Sequence, residues 1–169
     1  MGNKIIENLE KQSIEGNVEA TQELGIRYYR GLGVDVDYQK AKSYFEKANS
    51  NGCKGSAYYL GMIYYNGNGV SVDHAKAKEY FEKSDANNNI FSTYYLGKIY
   101  YWGDGVEKNE AKANEYKAKV LNKPFFANQN ADIKSFYSVT DIESSSRVYA
   151  NALEQKVKTE FQNLYGNLK

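Results

Sequence analysis

The residues of this 169-residue chain with the richest side-chain chemistry are one histidine, His74, and one cysteine, Cys53. A thiolate nucleophile needs a base within hydrogen-bond reach, and a zinc site needs N, S or O ligands that converge. His74 occupies the position of Tyr38 and Glu110 in a 36-residue period, at the start of an expected helix. Cys53 occupies the position of Asn17 and Asn89, in a loop, with no histidine at a matching place. His74 therefore reads as a solvated surface residue and Cys53 as an unactivated thiol. Zinc would have to rely on carboxylates, and the Asp and Glu residues show no pairing beyond helix capping. Gly31-x-Gly33, Gly67-x-Gly69 and Gly103-x-Gly105 look superficially like phosphate loops. A dinucleotide fingerprint needs a preceding strand and a third glycine, and both are missing. Lys40, Lys76 and Lys112 recur as a basic edge, which reads as a solvated face. The expectation is a non-enzyme with no catalytic residue, no cofactor and no metal.

Charge excludes further classes. Lys plus Arg is 22 and Asp plus Glu is 21, a net charge of +1. No global field attracts nucleic acid or an anionic membrane. No run of about 18 apolar residues is present, so no membrane span is expected. The first ten residues, Met1 to Glu10, bring acidic groups early and lack the apolar core of a secretory signal. Gly2 is not followed by Ser or Thr at position 6, where Ile6 stands, so myristoylation is not expected. One cysteine allows no intrachain disulfide, which suits a reducing compartment. The expected location is the cytoplasm. The outlying number is 17 tyrosines. Tyrosine serves both cores and binding surfaces, so position has to decide between them.

Position is supplied by a repeat. Leu24-Gly25, Leu60-Gly61 and Leu96-Gly97 are followed by Tyr28-Tyr29, Tyr64-Tyr65 and Tyr100-Tyr101. The Gly-x-Gly-Val strings come next, ending at Val34, Val70 and Val106. Then come Lys40-Ala41, Lys76-Ala77 and Lys112-Ala113, and finally Tyr44, Tyr80 and Tyr116, all at a spacing of 36. A fixed period of this length means a stacked array. Each unit reads as two helices. The first has an apolar stripe such as Ala20, Leu24, Gly25 and Tyr28, and it stops at the glycines, which reach positive φ at little cost. The second starts near Asp37, Asp73 or Asn109, all good N-caps. Its stripe is Ala41, Tyr44, Phe45 and Ala48 in one unit and Ala77, Tyr80, Phe81 and Ser84 in the next.

The ends complete the expected architecture: an all-α, right-handed α-solenoid of helix-turn-helix repeats. Residues 3–16 match a second helix, with Ile5, Leu9 and Gly16 one period before Ala41, Phe45 and Gly52. The units are 17–52, 53–88 and 89–122, so the array spans 1–122. Pro124 marks the break, and residues 123–169 read as a capping segment. Within it, 128–138 form a degenerate first helix carrying Phe136 and Tyr137. Thr140 and Glu143 form a capping-box pair, and a long helix follows with Tyr149, Leu153, Val157, Phe161, Leu164 and Leu168 on one stripe.

The string Leu-Gly-x-x-Tyr-Tyr-x-Gly-x-Gly-Val, followed by Asp-Tyr-x-Lys-Ala at Asp37 to Ala41, resembles the Sel-one-like repeat (SLR) family, a relative of the tetratricopeptide repeat. The resemblance covers about residues 3–122. It departs from the family where proline often follows the Val and this chain has Asp35, Ser71 and Glu107. The family resemblance implies an adaptor or scaffold whose first helices line a concave face.

A second set of positions lies about 100° from the core stripe on each first helix. It comprises Gln22, Ile26, Tyr29 and Arg30; then Tyr58, Met62, Tyr65 and Asn66; then Tyr94, Lys98, Tyr101 and Trp102. Apart from the repeated Tyr29, Tyr65 and Tyr101, these residues vary between units, whereas the core positions repeat. Packing is common to every unit but a partner is not, and Tyr, Arg, Met and Trp are enriched in interfaces. The expected function is protein binding through this set, by a chain that is monomeric when free. A competing reading has Tyr29, Tyr65 and Tyr101 packing between units. Two further functions are weighed: an immunity-type inhibitor that sequesters a bacterial toxin, and single-stranded RNA binding by stacking on tyrosines. The balanced charge argues against RNA.

Overall fold

A computed structural model of the chain describes residues 2–122. Among them, seven α-helices succeed one another without a strand: α1 Gly2–Ile14, α2 Val18–Arg30, α3 Tyr38–Ser50, α4 Ser56–Asn66, α5 His74–Asp85, α6 Ile90–Trp102 and α7 Glu110–Asn122. Each helix packs on its neighbours in the chain, and α4 also meets α6. This is the expected α-solenoid: α2–α3, α4–α5 and α6–α7 are three hairpins, and α1 covers α2. The expected capping segment, 123–169, lies outside the described residues.

Local chemistry sets the helix ends. Asp37, Asp73 and Asn109 each accept a hydrogen bond on a side-chain oxygen from the backbone N–H three residues on, at 2.9 Å. Such a cap stabilises by about 1 kcal/mol. Asn17 and Asn89 cap α2 and α6 in the same way, at 2.8 and 3.0 Å. At the other end of the first helices, Gly31, Gly67 and Gly103 take φ of 73, 70 and 77°, a left-handed conformation that ends the helix. The loop then returns to its own helix. The N–H groups of Asp37, Asp73 and Asn109 donate to the carbonyls of Tyr28, Tyr64 and Tyr100, each at 2.9 Å.

The core repeats with the sequence. Leu24, Leu60 and Leu96 are fully buried, as are Ala41, Ala77, Phe45 and Phe81. The mid-helix glycines allow this packing. A Cβ on Gly25 would sit 2.6 Å from the Phe45 ring, and one on Gly61 would sit 2.6 Å from the Phe81 ring. Glycine inside a helix costs roughly 1 kcal/mol against alanine, and here the missing methyl admits a phenyl ring. The two rows of helices are unequal. Each of α2, α4 and α6 buries eight residues, whereas α3 and α5 bury three each. The first helices are therefore the inner row.

Candidate partner-binding surface

Three aromatic assemblies surround the inner row. In the first, Tyr28 stacks on Tyr44, Tyr64 on Tyr80 and Tyr100 on Tyr116, with centroids 5.7, 5.8 and 5.8 Å apart and rings within 9° of parallel. Lys40, Lys76 and Lys112 place their ammonium groups 4.9, 4.3 and 4.9 Å from the Tyr28, Tyr64 and Tyr100 centroids. Lys40 and Lys112 are exposed and Lys76 is half-buried, so the edge meets solvent as expected, and each ammonium also gains a cation–π attraction over a phenol face. Burial pushes the Tyr44 and Tyr80 phenols up and raises Tyr116 to about 12.

The second assembly links units. Phe45 stacks on Tyr59 at 4.6 Å and 3°, and Phe81 on Tyr95 at 5.0 Å and 12°. Tyr29 meets Tyr59 edge-on at 5.6 Å, and Tyr65 meets Tyr95 edge-on at 5.2 Å. The Asn68 side-chain amide donates to the Tyr29 hydroxyl at 3.2 Å, and the Tyr65 hydroxyl donates to Asp104 at 3.1 Å. Tyr29 and Tyr65 thus pack between units, the competing reading for this column. Tyr59 and Tyr95 were not singled out in the sequence. Their signal was present, since they recur at the same place while the first unit has Glu23 there.

The third assembly contains the expected binding set, which the structure divides. Ile26, Tyr58 and Tyr94 are 3%, 6% and 1% exposed, which corrects the expectation that they present an open surface. Tyr58 lies against Phe81 and Phe91, at 6.3 and 6.0 Å, and Tyr94 packs with Tyr95, Tyr101 and Val120. A 100° offset on a helix with neighbours on both flanks aims these side chains at adjacent helices instead of at solvent: Tyr58 reaches Phe91 of the next unit, and Tyr94 reaches Val120 of α7. Gln22, Tyr29, Arg30, Met62, Tyr65, Lys98 and Tyr101 are half-buried, Asn66 is exposed, and Trp102 is 58% exposed. Trp102 stands edge-on to Tyr101 at 4.9 Å. Arg30 donates to the Tyr59 hydroxyl at 3.1 Å, and the Lys98 ammonium lies 5.5 Å from the Tyr65 ring and 5.6 Å from that of Tyr95. Both cations are seated on the rings that link the units. Gln22 accepts from the Cys53 thiol at 2.9 Å.

Other polar groups among the described residues sit in packing contacts and ion pairs. His74 is half-buried with its ring 4.9 Å from that of Tyr65, which corrects the solvated reading. No cluster of three or more metal-ligating side chains occurs among the described residues. Glu23 and Arg27, each about 10% exposed at the side chain, form an ion pair at 2.8 Å. Burial raises the Glu23 carboxyl above its ordinary range, and Arg27 offsets part of that rise. A hollow of about 350 Å³ beside the Tyr28–Tyr44 stack is lined by Glu10, Tyr28, Gln39, Lys40, Ser43 and Tyr44, none of them in the expected binding set.

The family model for the Sel1 repeat matches three stretches of the chain, residues 18–53, 55–84 and 90–116. The chain belongs to the Sel1 repeat family. Sel1 repeats generally serve as protein–protein interaction modules without catalysis of their own. The chain is similar to a protective antigen present in uropathogenic Escherichia coli strains, whose crystal structure displays an SLR fold. The two are 30% identical with a TM-score of 0.66, over 69% of this chain and 25% of that one. It is also similar to a Sel1 repeat protein from Oxalobacter formigenes, at 26% identity and a TM-score of 0.57, over 62% of this chain and 42% of that one. The chain therefore matches less than half the length of either Sel1 relative. No protein with a curated description matches the sequence.

Proposed function

We propose that this Sel1 array is a non-catalytic adaptor that holds a protein partner in the groove lined by α2, α4 and α6. The observation that carries this reading is a contrast within one chain. Positions that pack repeat from unit to unit, as with Leu24, Leu60 and Leu96. The inner-row positions that keep accessible surface do not: Arg30, Asn66 and Trp102 are equivalent, as are Met62 and Lys98. The contact surface is Gln22, Arg30, Met62, Asn66, Lys98, Tyr101 and Trp102, with Trp102 as its anchor. Residues of this kind dominate interface energetics. The setting is the cytoplasm, and the free chain is monomeric. In the described residues, no helix is long and apolar enough to cross a membrane.

Affinity capture with the intact chain, compared with its Met62→Ala/Trp102→Ala variant, tests the reading. A protein retained by the first and lost by the second supports it. Identical capture by both chains contradicts it.

A further inference from the structure

The place beside the Tyr28–Tyr44 stack has two counterparts along the outer row, and in both the chain fills it with a lysine. Lys42 pairs with Glu46 at 2.8 Å beside the Tyr64–Tyr80 stack, and Lys78 pairs with Glu82 at 3.0 Å beside the Tyr100–Tyr116 stack. The hydrogen bond to Glu46, with Tyr64 close by, holds Lys42 above the ordinary lysine range, and Glu82 and Tyr100 do the same for Lys78. The arrangement made twice is an alkylammonium held by one carboxylate next to two stacked phenols.

The first unit keeps the carboxylate and the phenols but not the lysine. Glu10 is the equivalent of Glu46 and Glu82, and it lines the hollow of about 350 Å³ together with Tyr28 and Tyr44. The lysine position is Ile6, which is 4% exposed and belongs to the core. Glu10 is half-buried and makes no ion pair among the described residues. Away from bulk water an ammonium is worth more to such a carboxylate than to a solvated one.

Two neighbours leave this intact. Lys40 also lines the hollow, but its ammonium lies over Tyr28 at 4.9 Å and 3.9 Å from Asp37, with the side chain 59% exposed. The second unit accommodates the same extra cation, since Lys76 lies 4.3 Å from the Tyr64 centroid while Lys42 holds Glu46. Ser43 stands where Glu79 and Glu115 do, but those two are exposed, and the carboxylates bonded to the lysines are Glu46 and Glu82.

We infer that the hollow of the first unit is a binding site for an alkylammonium group from outside the chain, which takes the place that Lys42 and Lys78 take in the next two units. Glu10 is its anchor, Tyr28 and Tyr44 form the phenol wall, and Gln39 and Ser43 add polar atoms. None of these residues belongs to the proposed contact surface, so the inference does not depend on the groove reading.

The probe is n-butylammonium, titrated onto the full-length chain at constant ionic strength and followed by NMR. Saturable shifts in the millimolar range are expected at Tyr28, Tyr44 and Ser43, and none at Tyr64 or Tyr100, where the chain's own lysines sit. Glu10→Gln should weaken binding about tenfold, the usual effect of losing a charge-assisted hydrogen bond. Glu7→Gln, at an exposed carboxylate of the same helix, should leave binding unchanged. Ile6→Lys should abolish it by supplying an internal ammonium. Its melting is checked first because Ile6 is a core residue, and Glu10→Gln decides the matter if that variant does not fold. No saturable shift, equal binding by the native chain and Glu10→Gln, or equal shifts at all three stacks would overturn the inference. A lysine of a protein and a free polyamine both carry this chemistry. A short peptide with a single lysine, its Nε-acetylated form and spermidine separate them. Tighter binding of the lysine peptide assigns the site to a protein side chain, and tighter binding of spermidine assigns it to a polyamine. Binding of the acetylated peptide as tight as that of the free one contradicts a site for an ammonium.

Discussion

The Tyr65 hydroxyl donates to the Asp104 carboxylate at 3.1 Å, and one unit earlier the Asn68 amide donates to the Tyr29 hydroxyl at 3.2 Å. The same tie between a first helix and the next unit's loop is thus made twice, with donor and acceptor exchanged. Its ring is held edge-on by Tyr95 in one case and by Tyr59 in the other. Conversion of Tyr65 to Phe keeps the ring and removes the hydroxyl. Tyr65→Phe should lower stability by about 1 kcal/mol, the usual net worth of a hydrogen bond, read as a lower urea midpoint at unchanged slope. An unaltered midpoint would mean that the tie contributes nothing.

The second glycine of each Gly-x-Gly pair should tolerate no side chain. Gly69 has φ of +69°, and a Cβ there would come within 2.9 Å of the Tyr38 Cβ. Gly69→Val adds a β-branched residue where L side chains are strained and also pushes on the start of α3. A loss of about 2 kcal/mol or more is expected, seen as a drop in melting temperature with the first-helix surface unaltered. Gly33→Val, at φ of +75°, should behave alike. Unchanged melting of both variants would refute the turn assignment.

The Glu23–Arg27 pair gives a prediction with a sign. These residues stand where the second unit has Tyr59 and Ile63. Arg27→Ile alone leaves a buried carboxylate unpaired and should cost about 3 kcal/mol. Glu23→Tyr/Arg27→Ile, which adopts the second unit's residues, should recover most of that loss. The Glu23 carboxyl is raised above its ordinary range, chiefly by burial, so the folded chain holds that proton more tightly than the unfolded chain. Its contribution to stability is therefore greatest at low pH and falls as pH rises through the folded value. The stability of Glu23→Gln relative to the native chain should improve between about pH 4 and pH 7. A relative stability that worsens over that range would contradict the shift.

Most of the fold was legible because the period aligns short-range signals that are individually weak. Asp37, Asp73 and Asn109 were recognisable as caps from residue type, and Gly31, Gly67 and Gly103 as stops from their conformational freedom. The half-buried interior of the site was less legible. Helical spacing placed Tyr58, Tyr94 and Trp102 on one face, but the coverage of each depends on which neighbouring helix packs beside it. Phe91 lies against Tyr58, and Tyr94 packs with Tyr101 and Val120, while Trp102 at the end of α6 keeps its edge in solvent. The lysine–tyrosine contacts at 40, 76 and 112 join two helices of a hairpin, a relationship that neither helix displays alone.

The central claim is that the partner is held by the unlike residues of the inner row, with Trp102 as anchor. Titration of the captured partner against the native chain, Trp102→Ala and Lys40→Ala tests it most directly. Truncation of an interface anchor typically costs about 2 kcal/mol or more, roughly 30-fold in affinity. Trp102→Ala should weaken binding by that factor with helicity intact, and Lys40→Ala, on the second helix, should bind as the native chain does. Normal binding by Trp102→Ala, Tyr101→Ala and Met62→Ala alike would contradict the claim and move the site away from the inner row.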